Sequence, residues 1–382
     1  MGERRPRILH VTRNLPPLVG GMERLNWHIA DELSRFAEVH VVGPKGSGAS
    51  KPPGTVLDEV PLRPLWRFLL ASAWRAVRVA RRQRPDIVLA GSGLTAPAAW
   101  HAARSCGARM VAYVHGLDVA VRHPLYRAIW HPFLRRMDVV IANSRPTAGL
   151  VRGLGVAEQR IRIVHPGVER PAAPQPPQAL REFRQRYGLG DARLLLSIGR
   201  LTTRKGLREF VQHALPRIVA QAPDVLLVVI GEAPTDSLLA GVQTRDSIQA
   251  VADAAGIGQH LRFLGVITDP QALACAYESA AVHVFPVREI HGDPEGFGMV
   301  AIEAAAHGLP TVAFATGGIV DAVAEGRSGR LVPSGDHAAL SRAVLDVLAD
   351  GDAAWRAGAS QFAEGFAWPA FGDAIGRVLL SR

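Results

Sequence analysis

Short, nearly uninterrupted apolar runs recur along this chain, with amphipathic stretches between them. RILHVT (7–12), EVHVVGP (38–44), DIVLAGS (86–92), MVAYVHG (110–116), VVIANS (139–144) and IRIVHPG (161–167) each predict a strand closed by a polar or glycine-rich turn. Between the first two, MERLNWHIADELSRF (22–36) repeats Leu25, Ile29, Leu33 and Phe36 at helical spacing. The pattern stops at HPGVERPAAPQPPQ (165–178), which holds five prolines and no apolar period, and a linker is expected over 169–188. It then restarts with LLLSIGR (194–200), VLLVVIGE (225–232), LRFLGV (261–266), VHVFPV (282–287), TVAFAT (311–316) and GRLVPS (329–334). Strands that are apolar on both faces, separated by helices, predict parallel sheets covered on each side. The expected architecture is two doubly wound α/β domains, over 1–168 and 189–366, facing a cleft. A last amphipathic helix, 367–382, would return to the first. Ligands of such sheets lie beyond the carboxyl ends of the strands.

Composition narrows this picture. At 382 residues, 48% of them apolar, the chain can build two cores, and disorder is excluded. Cys106 and Cys275 lie far apart without metal-ligand spacing, which fits inert thiols in a reducing compartment. The basic start lacks the apolar run of a signal peptide, and no run approaches the roughly 20 residues that span a bilayer. A cytoplasmic protein, soluble or peripheral on the inner face of the membrane, is expected. The net charge of +10 is uneven: residues 1–170 hold 26 Lys/Arg against 12 Asp/Glu, leaving 18 against 22 for the remainder. Only the first half therefore suits a polyanionic surface.

The candidate chemistry concentrates in the second half. HGDPEGFGMVAIEAAAHGLP (291–310) places Glu295 before Gly296-Phe297-Gly298 and Glu303 within the following helix. Free N–H groups at that helix start favour phosphate, with one carboxylate on each side to accept sugar hydroxyls. The competing reading is a surface loop glutamate and a helix-favouring one. In SIGRLTTRKGLREFV (197–211), Gly199, Arg200 and Lys205 follow a strand and could clamp a diphosphate leaving group. Gly265 and Val266, at another strand end, suit a nucleotide base held through backbone groups. No GxxxxGK[ST] occurs, and no Gly-x-Gly-x-x-Gly follows the first strand, which excludes a P-loop and weakens a dehydrogenase reading.

Taken together, NLPPLVGGMERLNWHIADEL, YVHGLD, VIANSRPT, IRIVHPGV, IGRLTTRKG, the Glu-x7-Glu block EGFGMVAIE and ATGG resemble the retaining glycosyltransferases of the GT-B fold, in glycosyltransferase family 4. The resemblance covers nearly the whole chain. It implies that Glu295 contacts donor-sugar hydroxyls, with Gly296, Phe297 and Gly298 along the sugar and diphosphate. Glu303 would hold the ribose, Arg200 and Lys205 the diphosphate, and Gly20 and Gly21 a loop over the phosphates. His115 would line the reaction centre, with Asp118 beside it on the acceptor side. Transfer would retain the anomeric configuration, using a nucleotide-diphosphate sugar as co-substrate and neither cofactor nor metal. GDP-mannose is favoured over UDP-hexoses by general likeness. Two rival readings stay open: a sugar-nucleotide epimerase on the same fold, and a basic nucleic-acid-binding protein, for which no binding signature is present.

Eleven of the 24 arginines in residues 1–170 fall in two helical stretches. RPLWRFLLASAWRAVRVARRQR (63–84) sets Trp66, Leu69, Leu70, Ala73 and Val77 against Arg67, Arg75, Arg78 and Arg82. VRHPLYRAIWHPFLRRM (122–137) sets Arg122, Arg127, Arg135 and Arg136 beside Tyr126, Trp130 and Phe133. Either these faces meet anionic lipid, with a lipid-linked acceptor such as a lipopolysaccharide core, a polyprenyl-diphosphate glycan or a glycolipid, or they are solvated faces of helices packed on their own sheet.

Overall fold

The computed structural model describes residues 4–234 and 241–380. The outermost positions of the expected first domain, 1–3 and 381–382, lie outside the described residues. The chain divides into two compact units, Met1–Gly167 with Phe366–Arg382, and Val168–Gly365. Among the described residues no helix is long and apolar enough to cross a membrane.

The first unit is built on a parallel sheet of β1 (Arg7–Val11), β2 (Glu38–Pro44), β3 (Val56–Val60), β4 (Ile87–Ala90), β5 (Arg109–Val114), β6 (Val139–Ala142) and β7 (Ile161–Ile163). Its order is β3-β2-β1-β4-β5-β6-β7. The second carries β8 (Arg193–Ile198), β9 (Val225–Ile230), β10 (Leu261–Gly265), β11 (Val282–Phe285), β12 (Thr311–Phe314) and β13 (Gly329–Val332), ordered β10-β9-β8-β11-β12-β13 and also parallel throughout. Central strands such as β4, β6 and β9 are buried at every position, as their unbroken apolar runs require, and so is β11, which includes His283. In both sheets the strand order reverses once, between β1 and β4 and between β8 and β11. The crevice that binds ligands in such sheets opens at that reversal.

Three expectations are corrected. The strand β3 was not anticipated; it is an edge strand whose sequence, VLDEV, breaks the apolar run, and Asp58 within it pairs with His40 (2.9 Å) and Arg75 (2.7 Å). The expected linker is not extended along its whole length. Residues 177–186 form the helix Pro177–Arg186, started by a proline in its first turn, and its buried Phe183 packs with Leu189 and Tyr277 in the core of the second unit. The helix Leu65–Gln83 buries Phe68, Ser72, Ala76, Val79 and Ala80, a face that the periodicity of its larger apolar residues does not single out. Leu69, Ala73 and Val77 pack partly against the core, whereas Trp66, Leu70 and Trp74 point outward, 58%, 66% and 59% exposed.

The C-terminal helix Trp368–Leu380 closes the first unit, with Trp368, Phe371, Ile375 and Leu379 buried along one face. The Trp368 indole stacks on His28 at 3.7 Å between ring centroids and fills the space above Gly167, where a Cβ would lie 2.2 Å from the ring.

Candidate active site

At the reversal of the second sheet, two loops leave adjacent strands. The loop after β8 carries Arg200, Arg204 and Lys205; the loop after β11 carries Asp293 and Glu295. The ammonium of Lys205 donates to Glu295 Oε2 at 2.8 Å and sits 4.7 Å from the centre of the Phe285 ring. Arg204 donates to the same oxygen, and its Nε lies 3.3 Å from Asp293 Oδ1. These three side chains are only 13–18% exposed, so their attraction is weakly screened. Burial would raise the Glu295 pKa, but Lys205 and Arg204 beside it overcome that and hold it below the usual carboxylate value. For Lys205 burial is the leading influence and lowers its pKa; the neighbouring Arg204 and Arg200 act the same way, and Glu295 opposes them. Arg200 itself is exposed.

The structure thus brings Glu295 and Lys205 together as an ion pair and adds Arg204, which sequence reasoning passed over. Its only signal was adjacency to Lys205 in TTRKG. Arg204 also binds the two loops through its backbone, accepting the Arg288 N–H at 2.8 Å. Arg200, Arg204 and Lys205 against Asp293 and Glu295 leave one net positive charge, enough to favour an anion whose arrival would let the cations re-pair.

Beyond Glu295, the helix Met299–Ala306 starts at Gly298, which has φ 94° and offers no side-chain cap. The loop ahead of it is braced by Gly317-Gly318: the Gly318 N–H donates to the Glu295 carbonyl at 2.8 Å. A Cβ on Gly318 would fall 2.0 Å from the Gly296 carbonyl oxygen, so only glycine permits this approach. Phe297 is buried, anchoring the loop from below. Glu303, one turn further along the helix, is half-buried and accepts a hydrogen bond from the Tyr277 hydroxyl at 3.0 Å. Gly199 and Gly265 end their strands in the ladder, Gly199 N–H donating to Ile230 O (3.0 Å) and Gly231 N–H to Gly265 O (2.8 Å), while Val266 is 58% exposed.

The first unit's reversal is different in kind. His115, 8% exposed after β5, directs Nε2–H to the Gly91 carbonyl at 2.8 Å. Asp118, partly buried, is tied to the neighbouring backbone. Its oxygens accept the His115 N–H (2.9 Å) and the Gly93 N–H (2.7 Å), and it holds the histidine loop to the loop after β4. Below lies His10, fully buried, bonded to Asn26 at 3.0 Å, with a pKa pushed down to about 4 chiefly by burial. Gly20 is exposed and leads into the helix Gly21–Ser34, with Gly21 its first residue.

Of the aromatics expected at a lipid surface on 122–137, Tyr126 and Trp130 are fastened to the scaffold. Tyr126 donates to the Asp118 carbonyl (3.0 Å) and Trp130 to the Leu94 carbonyl (2.9 Å), their rings stacked at 4.9 Å. Phe133 packs against the core. The exposed apolar side chains of that helix are Leu125 and Ile129.

Comparison with known proteins agrees with this architecture. The family model described as Glycosyl transferases group 1 matches residues 192–350, and that of Glycosyltransferase Family 4 matches residues 19–170. The chain is 31% identical over 357 residues to a GDP-mannose-dependent alpha-(1-6)-phosphatidylinositol monomannoside mannosyltransferase of Mycolicibacterium smegmatis, spanning 90% of this chain and 89% of that one. It is 30% identical over 388 residues to D-inositol 3-phosphate glycosyltransferase 1 of Catenulispora acidiphila, spanning 93% and 89%. The crystal structure of Anabaena HepE in complex with UDP superposes with a TM-score of 0.79 at 20% identity, covering 98% of this chain and all of that one. The chain belongs to glycosyltransferase family 4 and is a glycosyltransferase of the GT-B fold.

Proposed function

We propose that this glycosyltransferase moves mannose from GDP-mannose to an anionic, lipid-linked acceptor of the cell envelope at the inner face of the cytoplasmic membrane, with retention of configuration and without a metal. The observation that carries the reading is the pairing of Glu295 with Lys205 and Arg204 at the sheet reversal, beside the uncapped start of the helix Met299–Ala306. The donor and the lipid acceptor are supported by the mycobacterial-type relative, which is named for both.

In the reaction the bond from the sugar's anomeric carbon to the diphosphate breaks while a bond to the acceptor oxygen forms. Negative charge grows on the diphosphate and positive character on the sugar ring. Lys205, Arg204 and Arg200 stabilise the departing diphosphate, helped by the helix N–H groups. Glu295 orients the sugar through its hydroxyls, and its depressed pKa keeps it an acceptor. The acceptor's proton passes to a diphosphate oxygen. His115, its ring fixed by Gly91 and its backbone by Asp118, lines the acceptor side.

Support for the membrane comes from the outward stripe Trp66, Leu70 and Trp74, spaced four residues apart, with Arg67 and Arg78 over the two indoles at 5.2 and 5.4 Å. Leu125 and Ile129 add a second exposed apolar edge. Incubation of labelled GDP-mannose or UDP-glucose with phosphatidylinositol mannoside, with and without EDTA, tests the reading. Mannosylated lipid, α-linked and insensitive to EDTA, is the expected product; transfer from UDP-glucose alone, or loss of activity with EDTA, would refute it.

A further inference from the structure

The carboxylate of Glu303 does not stand alone on its helix. Tyr277, in the helix Pro270–Ser279 and 2% exposed, brings its hydroxyl to Glu303 Oε2 at 3.0 Å. The Tyr277 ring lies flat on the imidazole of His307, with centroids 5.2 Å apart and planes 8° from parallel. That imidazole is itself held: His307 Nδ1 is 2.9 Å from Glu278 Oε1, and Glu278 Oε2 accepts the Gln175 N–H at 2.6 Å. A line of defined contacts thus runs from the backbone at Gln175 to the carboxylate of Glu303.

A glutamate side chain has three rotatable bonds, and fixing its head without help costs rotamer entropy at the moment of binding. A buried phenol in a fixed plane removes that cost beforehand and constrains which way the carboxylate faces. The phenol is also a better choice than an arginine or lysine here, because it orients the carboxylate without neutralising it. A carboxylate that stays anionic accepts hydroxyl hydrogen bonds about twice as strongly as a neutral oxygen.

We infer that Tyr277, seated on His307, is a positioning residue that pre-orients Glu303 to accept the ribose hydroxyls of the nucleotide. This rests on the reading of Glu303 as the ribose-binding carboxylate and adds the element that makes it selective for a ribose over a deoxyribose.

The test is titration of GDP and UDP, and of their 2′,3′-dideoxy counterparts, into wild type, Tyr277→Phe, Glu303→Ala and the double variant. Wild type should favour the better ribonucleotide over its dideoxy form by at least about tenfold, as expected for hydrogen bonds to a charged group. Tyr277→Phe should weaken the ribonucleotide about fivefold, leave the dideoxy form unchanged, and have no further effect in the Glu303→Ala background. Equal weakening of both nucleotide forms, or weakening that persists without Glu303, would mean that Tyr277 only supports the fold. If Tyr277→Phe binds like wild type while Glu303→Ala loses ribose discrimination, the inference fails and the ribose reading stands. If Glu303→Ala itself keeps full discrimination, both fail. Should Tyr277→Phe not fold, His307→Ala withdraws the surface the phenol lies on, and a ribose-specific loss of two- to threefold is expected; a loss common to both nucleotide forms would overturn the inference.

Discussion

The two sheets reverse strand order in the same way, yet the side chains gathered at the two reversals differ in charge. In the first unit His10, Asn26, His115 and the Gly91 carbonyl form a hydrogen-bonded group with no ion pair among them, and Asp118 accepts from backbone N–H groups. In the second, Arg204, Lys205, Glu295 and Asp293 form a compact ionic group with Arg200 nearby. The domain charges run the other way, since the first 170 residues hold 26 Lys/Arg against 12 Asp/Glu and the second part is mildly acidic. Net charge per domain therefore says little about the chemistry at its ligand end. In the first unit much of the positive charge lies on 63–84 and 122–137, the same stretches that carry the outward Trp66, Leu70, Trp74, Leu125 and Ile129. In the second, Arg204 and Lys205 gather with Glu295 and Asp293 at the reversal of the sheet.

The largest effect expected to separate the two reversals comes from Glu295→Gln. It leaves Lys205 and Arg204 mostly buried beside a neutral amide, and breaking such a pair from one side costs about 3 kcal/mol. Denaturant unfolding without nucleotide should show that loss, and transfer should fall at least about a hundredfold. His115→Asn, at the first reversal, should lower turnover by about a hundredfold while leaving nucleotide binding at its wild-type value, a split that kinetics and calorimetry read separately.

The pH dependence sharpens the contrast further. His10 and His283 are both buried, with pKa values pushed down to about 4 and about 3, in each case mainly by burial. Their folded values lie below the unfolded 6.5, so the unfolded chain takes up protons first as the pH drops. Stability from each histidine is complete above about 6.5 and is lost on acidification toward the folded value, at up to about 1.4 kcal/mol per pH unit. Glu295, also depressed, adds a loss only below its unfolded value of about 4.3. His10→Asn should therefore flatten the stability curve between about pH 6.5 and 5.5, whereas Glu295→Gln should leave its slope in that window unchanged; chemical denaturation across this range checks both.

The smallest predicted effect concerns the surface. Trp66→Ser with Trp74→Ser should weaken binding to vesicles of anionic lipid several-fold, measured by sedimentation, without changing nucleotide affinity. Equal binding by the variant would remove the outward stripe from the account.

Much of this was legible in the sequence. Strands buried on both faces read as nearly continuous apolar runs, so β1, β4, β8, β11 and their neighbours stand out, and the strand-helix alternation then points to parallel sheets. What escaped detection did so for physical reasons. The edge strand β3 needs only one good face and can carry Asp58 and Glu59. The helix Pro177–Arg186 is tied down mainly by one residue, Phe183, in an otherwise charged run. On the helix Leu65–Gln83 the buried face uses Ser72, Ala76 and Ala80, small residues that let it approach the core and that a ranking by hydrophobicity does not pick out. In the site, Glu295, Glu303 and Lys205 were marked by spacing, but which cation reaches Glu295 depends on the direction of a short turn. Arg204 and Asp293 become visible only once β8 and β11 lie side by side.

The central claim is that the ionic group at the second reversal is a nucleotide-diphosphate site. Its most direct test is the thermal stabilisation of wild type and Lys205→Met by GDP and by UDP. At a concentration 100 times its dissociation constant, the cognate nucleotide should stabilise the wild type by about 2.7 kcal/mol. The variant, at the same concentration, should lose most of that shift. Equal stabilisation of both proteins, or none of either by GDP or UDP, would contradict the claim.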